Sequence, residues 1–523
     1  MKGVKLRYGK SLGFPEIPKK RRRFGPKEFV LLSAVLYMVV LGALSVYKHE
    51  TYASSRFDLG NMDQAVWNSA QGRILEATDE TGEITSRLRN HADFLLLAFV
   101  PLYWVHASPH WLLVVQAVVV GLGALPLYWL ARRFLGGITG RDHSWPAALV
   151  AAAYLLNPGL QAANLFDFHA QTMAGTLLLF AFHYLLERRL LPFALFAVLA
   201  ALAKEEIVLL VAMMGLYAVF PLRRPRWGIP IFVLGCLYFL FVMLVAIPAY
   251  NPGDTSSLVE GRYETLGGSM GGVALTALTE PLFTLSYILS ASKVSYLFSL
   301  VGPTGFLAVL SPLVLLIPLP ELAINFLSER PQMLSIRYHY STPILPFVYL
   351  AAAAGIANLV WLLPKLRGLR RPLGWLGALS PSEKVLRALP GVLAFLVLLL
   401  GVQTNYDKGP LPVFNAPGNN FSVIDPPPEE HLEALDEAVA LIPDDARVSA
   451  SNQIGPHLAH RPYLYLFPTV RDADYVIVDE TEPAYDTAIS PILNLQSTRE
   501  VREREDYTEV YSRDGVVVFE RSG

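Results

Sequence analysis

Cysteine is almost absent: the one residue, Cys236, lies inside an apolar run, which excludes an intrachain disulfide and a cysteine-based metal site. Charge is scarce as well. Asp, Glu, Lys and Arg together make up 17% of the 523 residues, against about a quarter in soluble domains. Phosphate loops, dinucleotide fingerprints and zinc-ligand spacings are missing too. The glycine-rich Gly267-Gly268-Ser269-Met270-Gly271-Gly272 lacks the Lys and Ser/Thr that a phosphate loop requires, and nothing points to a nucleic-acid partner. No internal repeat is visible, which argues against the inverted-repeat build of many secondary transporters. What remains is apolar. With 53% hydrophobic residues and a mean hydropathy of +0.39, the chain reads as a polytopic membrane protein, not a soluble enzyme.

The charges are sorted along the chain although they nearly cancel in total. Residues 1–27 carry ten basic and one acidic residue, a net +9, whereas residues 405–523 carry nine basic and 22 acidic, a net −13. The run 28–47 is long enough to span and has no small-residue cleavage site after it, so it is expected to be an uncleaved first span. Further apolar runs at 110–131, 146–157, 171–187, 190–203, 206–222, 228–249, 281–301, 304–320, 341–363 and 388–404 bring the expectation to eleven spans. The shorter run 94–105, with Pro101, Tyr103 and Trp104, is expected to lie in the interface or to re-enter.

Eleven spans satisfy the positive-inside rule. With the N-terminus cytoplasmic, Arg132/Arg133/Arg141, Arg188/Arg189, Arg223/Arg224/Arg226 and the cluster from Lys365 to Arg387 all fall inside, and the acidic tail falls outside. The expected organisation is therefore a basic cytoplasmic segment 1–27, a transmembrane domain 28–404 and an extracytoplasmic domain 405–523, in the cell membrane. The first outer loop is 48–93. The tail reads as a small α/β unit, with a helix from Glu429 to Leu441, a buried strand at Tyr475-Val476-Ile477-Val478 and a hairpin turning at Arg513-Asp514-Gly515.

Polar residues without an anchoring role gather on the outer face, and each has a structural and a chemical reading. Asp58 opens an apolar periodicity (Leu59, Met62, Val66) that predicts an amphipathic helix at the membrane surface. It is either the cap of that helix or a carboxylate able to take a proton from an acceptor hydroxyl. Asp63 falls roughly 140° away and cannot share its face. His91 with Asp93, and Asp167 with His169, each set an imidazole two residues from a carboxylate, a pattern for acid–base chemistry or a metal as well as for plain interfacial solvation. Lys204-Glu205-Glu206 interrupts apolar sequence, either as a self-paired hairpin or as charges facing a cavity. Arg337 beside His339 suits a phosphate at headgroup depth, with Tyr338 and Tyr340 as ordinary belt residues and Glu321, Asn325 and Glu329 close by.

Phe57-Asp58-Leu59-Gly60 with Gln64 and Trp67, His91 before the run ending Pro101-Leu102-Tyr103, and Gln116 with Pro126-Leu127-Tyr128 resemble the predicted membrane proteins grouped as domain of unknown function 2079. Lys204-Glu205-Glu206, Tyr338-His339-Tyr340 with Pro343 and Pro346, and Pro456-His457-Leu458 with Arg461-Pro462 extend the match over most of the chain. That group is similar to the GT-C superfamily of integral-membrane glycosyltransferases. The resemblance implies a GT-C-like fold, with Asp58 as the essential acidic residue of the first outer loop and Asp167 as the carboxylate of the second. Where many relatives have a second acidic residue directly after the first, Leu59 stands here.

The expected activity is transfer of a sugar from a polyprenyl-phosphate-linked donor to an acceptor on the outer face. Asp58 would act as base, Asp167 with His91 or His169 would shape the site or hold a divalent metal ion, and Arg337, His339, Lys204 and Glu205 would surround the donor phosphate. A transporter or flippase for a lipid-linked or small anionic substrate is the first alternative, and a non-catalytic membrane scaffold the second.

Overall fold

The computed structural model describes residues 24–89, 91–250, 262–365, 382–411, 426–482 and 491–522. Most of the basic segment 1–27 and of the Lys365–Arg387 cluster lies outside the described residues. Apolar runs become helices, as expected where backbone polar groups must be satisfied within the segment. Among the described residues, five helices are long and apolar enough to cross a membrane: Pro26–Glu50, His110–Gly137, Pro225–Ala249, Leu345–Lys365 and Glu383–Lys408. A bent pair, Pro281–Ile288 with Ala291–Thr304, joins them, and shorter apolar helices occupy Phe94–Val105, Ser144–Leu155, Ala170–Leu186, Leu190–Ala201 and Ile207–Val219. The fold is thus a helical membrane protein with a small C-terminal α/β domain.

The run 304–320, expected to span, does not form a spanning helix. It is a series of short turns, Leu307–Leu310, Pro312–Leu315 and the start of Leu319–Leu327. Left-handed backbone at Gly305 (φ +61°) and Phe306 (φ +59°) breaks its start, and Pro312, Pro318 and Pro320 remove donors further on. Such backbone is tolerated in a membrane only when protein covers it. Here it packs along the Leu345–Leu362 helix, where Asn358 donates to the Leu310 carbonyl at 2.9 Å. Gly355 permits the approach, since a Cβ there would lie 2.0 Å from the Leu307 oxygen.

The C-terminal unit is a five-stranded mixed sheet. In the first loop β1 (Glu76–Thr78) pairs with β2 (Ile84–Ser86), and in the tail β3 (Val448–Ala450), β4 (Leu464–Leu466), β5 (Tyr475–Asp479), β6 (Tyr507–Arg513) and β7 (Val516–Arg521) follow. The sheet order is β4-β3-β5-β7-β6, with β3 parallel to β4 and β5, and β7 antiparallel to β5 and β6. Asp514 (φ +48°) and Gly515 (φ +82°) make the two-residue β6–β7 turn, and positive φ at both is what a twisted hairpin selects. The helix Glu429–Ala440 packs on this sheet through Ala434, Leu435 and Ala438.

The helix Asn61–Ala70 does not lie free at a membrane surface. Its polar side, Asp63, Gln64 and Asn68, is buried along with Met62 and Val66, because the tail domain covers it. Gln64 Nε2 donates to the carbonyls of Arg461 (3.0 Å) and Pro462 (3.3 Å), and Thr78 Oγ1 accepts from the Leu464 amide (3.1 Å). The Arg56 guanidinium is buried and donates to the carbonyls of Thr78 (2.7 Å) and Leu464 (3.0 Å). That burial pulls its pKa down to about 10.

The charge pattern generates a topology prediction. In a Cys236→Ala background, an impermeant maleimide on intact cells should label Ser512→Cys, an exposed site in the acidic tail. Arg226→Cys, exposed in a basic cluster, should react only after permeabilisation. The reverse pattern would invert the protein in the membrane.

Candidate active site

Arg56–Gly60 forms one π-helical turn that runs directly into the helix Asn61–Ala70. Ser55, not Asp58, caps it, since the Ser55 hydroxyl accepts from the Phe57 amide at 3.1 Å. Asp58 is therefore relieved of the capping role. Its carboxylate meets the His169 ring, Oδ1 to Nε2 at 3.0 Å, and keeps 20% of its side-chain surface exposed.

His169 reaches it because the chain reverses two residues earlier. Asp167 has φ of +73°, a left-handed conformation that Asp adopts more readily than most residues. Gln116 clamps both sides of this reversal: its Nε2 donates to the carbonyls of Asp167 (2.8 Å) and Asn164 (3.2 Å), and its Oε1 accepts from the His169 amide (2.8 Å). The Asp167 carboxylate turns away to a buried ion pair with Lys48 Nζ at 2.5 Å and accepts from the Ser55 amide at 2.8 Å. Only 1% of the Asp167 side chain is exposed. Burial raises its carboxyl above the usual range, Lys48 opposes that shift and the nearby Asp58 charge adds to it.

The stack continues with His339, whose ring lies parallel to His169 at 3.8 Å between centroids. Burial, then the neighbouring His169 and Lys204, hold the His339 imidazole well below its ordinary value, so it is neutral. The Nδ1 atoms of both rings are buried and without a hydrogen-bond partner. Phe166 closes one side, edge-on to Tyr338 at 4.8 Å. Tyr340 lies under the Lys204 ammonium, 5.5 Å from the ring centroid. These tyrosines wall the site as well as flanking the last outer stretch.

Lys204 is buried and pairs with Glu206 at 2.7 Å; it also donates to Gln171 Oε1 at 3.2 Å, and Gln171 Nε2 donates to Glu321 Oε1 at 2.7 Å. Glu205 accepts from His91 Nδ1 (2.9 Å) and from the Ala92 amide (3.0 Å). Burial, with the Lys204 charge second, drives His91 down to about 3, so this contact is a neutral imidazole on a carboxylate. Within Lys204-Glu205-Glu206 the lysine thus pairs with Glu206, while Glu205 turns to His91.

Asp58, Asp167, His169, His339, Lys204, Glu205 and His91 form one continuous cluster, whereas Arg337 is exposed two residues from buried His339. His339 itself stacks on His169. Arg262 supplies a guanidinium that sequence reading passed over: its charge acts on His91, His339 and Tyr263, and its Nε is buried without a partner. Lys48 was also missed. It sits at the C-terminal end of a span, where a basic residue is expected merely to complement the helix dipole. Asp58 and His169 offer a cation two ligand types, but no third carboxylate or imidazole completes a cluster with them among the described residues.

The fold and this cluster define a polytopic membrane protein with a carboxylate–imidazole site on the face that its C-terminal domain covers. The chain belongs to the DUF2079 family of predicted membrane proteins, whose pattern matches residues 48–518. No curated protein matches it. Among solved structures it is similar to ArnT from Cupriavidus metallidurans bound to undecaprenyl phosphate, at 12% identity over 93% of this chain and 97% of that one, with a TM-score of 0.49. ArnT from the same organism in the apo state gives 12% identity over 93% and 98% of the two chains, TM-score 0.43. The archaeal oligosaccharyltransferase AglB from Archaeoglobus fulgidus, in complex with an inhibitory peptide and a dolichol-phosphate, gives 13% over 95% and 74%, TM-score 0.41.

Two predictions follow from the geometry. Lys48→Met should strand a buried carboxylate and destabilise the protein by roughly 3–5 kcal/mol, whereas Lys48→Met/Asp167→Asn, which removes both charges and keeps a residue tolerant of positive φ, should recover a large part of that loss in thermal unfolding. Equal stabilities would show that the pair contributes nothing. For His91, the unfolded chain takes up a proton as pH falls below about 6.5 and the folded one does not until about 3. The unfolded state therefore binds more protons in that window, and stability falls with falling pH. His91→Gln should flatten the loss of melting temperature between pH 7.5 and pH 5. An unchanged slope would place the proton uptake elsewhere.

Proposed function

We propose that this protein is a GT-C-like membrane glycosyltransferase, transferring a sugar from a polyprenyl-phosphate-linked donor to an acceptor on the outer face. The observation that carries the reading is the division of labour between two neighbouring carboxylates. Asp167 is committed on both oxygens, to Lys48 and to the Ser55 amide, while Asp58 keeps an exposed edge and meets the His169 imidazole. A base must be accessible and oriented, and Asp58 alone of the two is both.

In this reading the acceptor hydroxyl oxygen attacks the anomeric carbon of the donor sugar. The bond from that carbon to the phosphate oxygen breaks, its electron pair leaves with the polyprenyl phosphate, and the hydroxyl proton passes to Asp58. His169 orients the carboxylate, and the His339 ring fixes His169 in turn. Asp167 is a positioning residue, holding the end of the first span against the second outer loop. The departing phosphate needs cations, and Lys204 and Arg262, with Arg337 at the rim, stand on the side of His339 and His91. Glu205 keeps His91 oriented beside them.

Asp58→Asn tests this reading. With the cap on Ser55, the change should alter stability by less than about 1 kcal/mol and lower transfer from a polyprenyl-phosphate sugar at least ~100-fold. Wild-type turnover in a well-folded variant would remove Asp58 as the base.

A further inference from the structure

A second group of ligating side chains lies away from the Asp58 cluster, where the first span ends and the next long helix begins. One ring nitrogen each of His49 and His110 and a carboxylate oxygen of Glu50 all fall within 4.8 Å of one another, the only such trio of possible metal ligands among the described residues. We propose that His49, Glu50 and His110 bind a divalent transition-metal ion of the zinc class, and that this ion fastens the outer ends of two membrane helices beneath the C-terminal domain.

The donor set fits that class. Two imidazoles and a carboxylate suit zinc and its neighbours and are a poor match for calcium or magnesium, which prefer all-oxygen shells. Tetrahedral bonds of about 2.0–2.1 Å put ligand atoms about 3.3 Å apart. The observed spread therefore has to close by up to about 1.5 Å at its widest. The movable partners can supply this, since the Glu50 and His110 side chains are 56% and 42% exposed. His49 is the fixed point: it is buried, its Nδ1 lies 2.9 Å from Ser54 Oγ, and its ring stacks on His457 of the tail domain at 4.3 Å. Coordination through Nε2 would keep the Ser54 bond, an outer-shell contact of the kind that sets ring orientation in metal sites. The adjacent Lys48 charge, which would repel a cation, is neutralised by Asp167.

The location gives the ion a structural task. Ser54 and Ser55 connect His49 to the turn that carries Asp58, and Tyr52 stacks on the other side of His457 at 3.9 Å. Helix end, loop start and tail domain all meet there. The competing arrangement needs no metal: His110 Nε2 already lies 2.6 Å from Glu50 Oε1, a hydrogen bond sufficient in itself.

The full-length protein, solubilised in detergent and stripped with a chelator, should be titrated with zinc chloride while metal content and thermal unfolding are followed. One zinc per chain and a raised melting temperature are expected. Glu50→Gln, at an exposed side chain that places no demand on folding, and His110→Ala should each weaken zinc binding at least tenfold, while Asp58→Asn should leave it unchanged. No zinc-dependent shift, or wild-type affinity in both ligand variants, would leave only the hydrogen bond and overturn the proposal. Loss of binding in Asp58→Asn with retention in Glu50→Gln would assign the ion to the Asp58 cluster and overturn it equally.

Discussion

The Lys48–Asp167 ion pair is the contact on which the candidate site depends. Two opposite charges are buried at the end of the first span, where isolated charges are costly and an unmatched partner more so. Because they are matched, the second outer loop is pinned to the first span, and the reversal at Asp167 presents His169 to Asp58. The same contact removes one of two adjacent carboxylates from chemistry. Had Asp167 been unpaired, the two carboxylates would have competed for protons and cations, and neither would have a settled role.

A second dependence runs through the tail domain. Asn452 accepts from the Ser55 hydroxyl (3.1 Å) and the Phe57 amide (3.3 Å), and its carbonyl takes the Arg56 amide (2.8 Å). Pro456 and Gly455 pack against Gly60 and Arg56 so closely that a Cβ at either glycine would meet them within 3.3 Å. The segment that carries Asp58 is therefore shaped from both sides, by membrane helices below and by the sheet domain above. Phe57-Asp58-Leu59-Gly60 and Pro456-His457-Leu458, far apart in sequence, thus meet in the fold. Asp63 shows the same logic. It is buried against the Tyr103 hydroxyl and His460, whose imidazole is raised despite its burial by that carboxylate, so the contact has ion-pair character.

Much of this was legible in the sequence because its causes are local. Apolar runs, hairpin chemistry at Asp514-Gly515 and the apolar spacing from Leu432 to Leu441 each depend on residues within one or two turns. The run 304–320 misled for a related reason: length and hydropathy count apolar residues, while its prolines and the left-handed Gly305–Phe306 pair decide whether they form one helix. Asp58, His169 and His339 were visible as polar residues on one face. Their stacking order was not, since it requires the reversal at Asp167 and the Gln116 clamp.

The sequence by itself determined the class of the protein, the sorting of charge along the chain and the residues available for chemistry. Hydropathy, charge and turn preference act through the residue and its immediate neighbours, so they can be read along the chain. Only the tertiary structure decided which charge neutralises which. It gave Lys48 to Asp167, Glu206 to Lys204 and Glu205 to His91, left Asp58 accessible, and exposed Arg337 while half-burying Arg262. The energy of a charge inside a protein depends on partners brought near by folding, and those partners lie more than a hundred residues away for both Lys48 and His91.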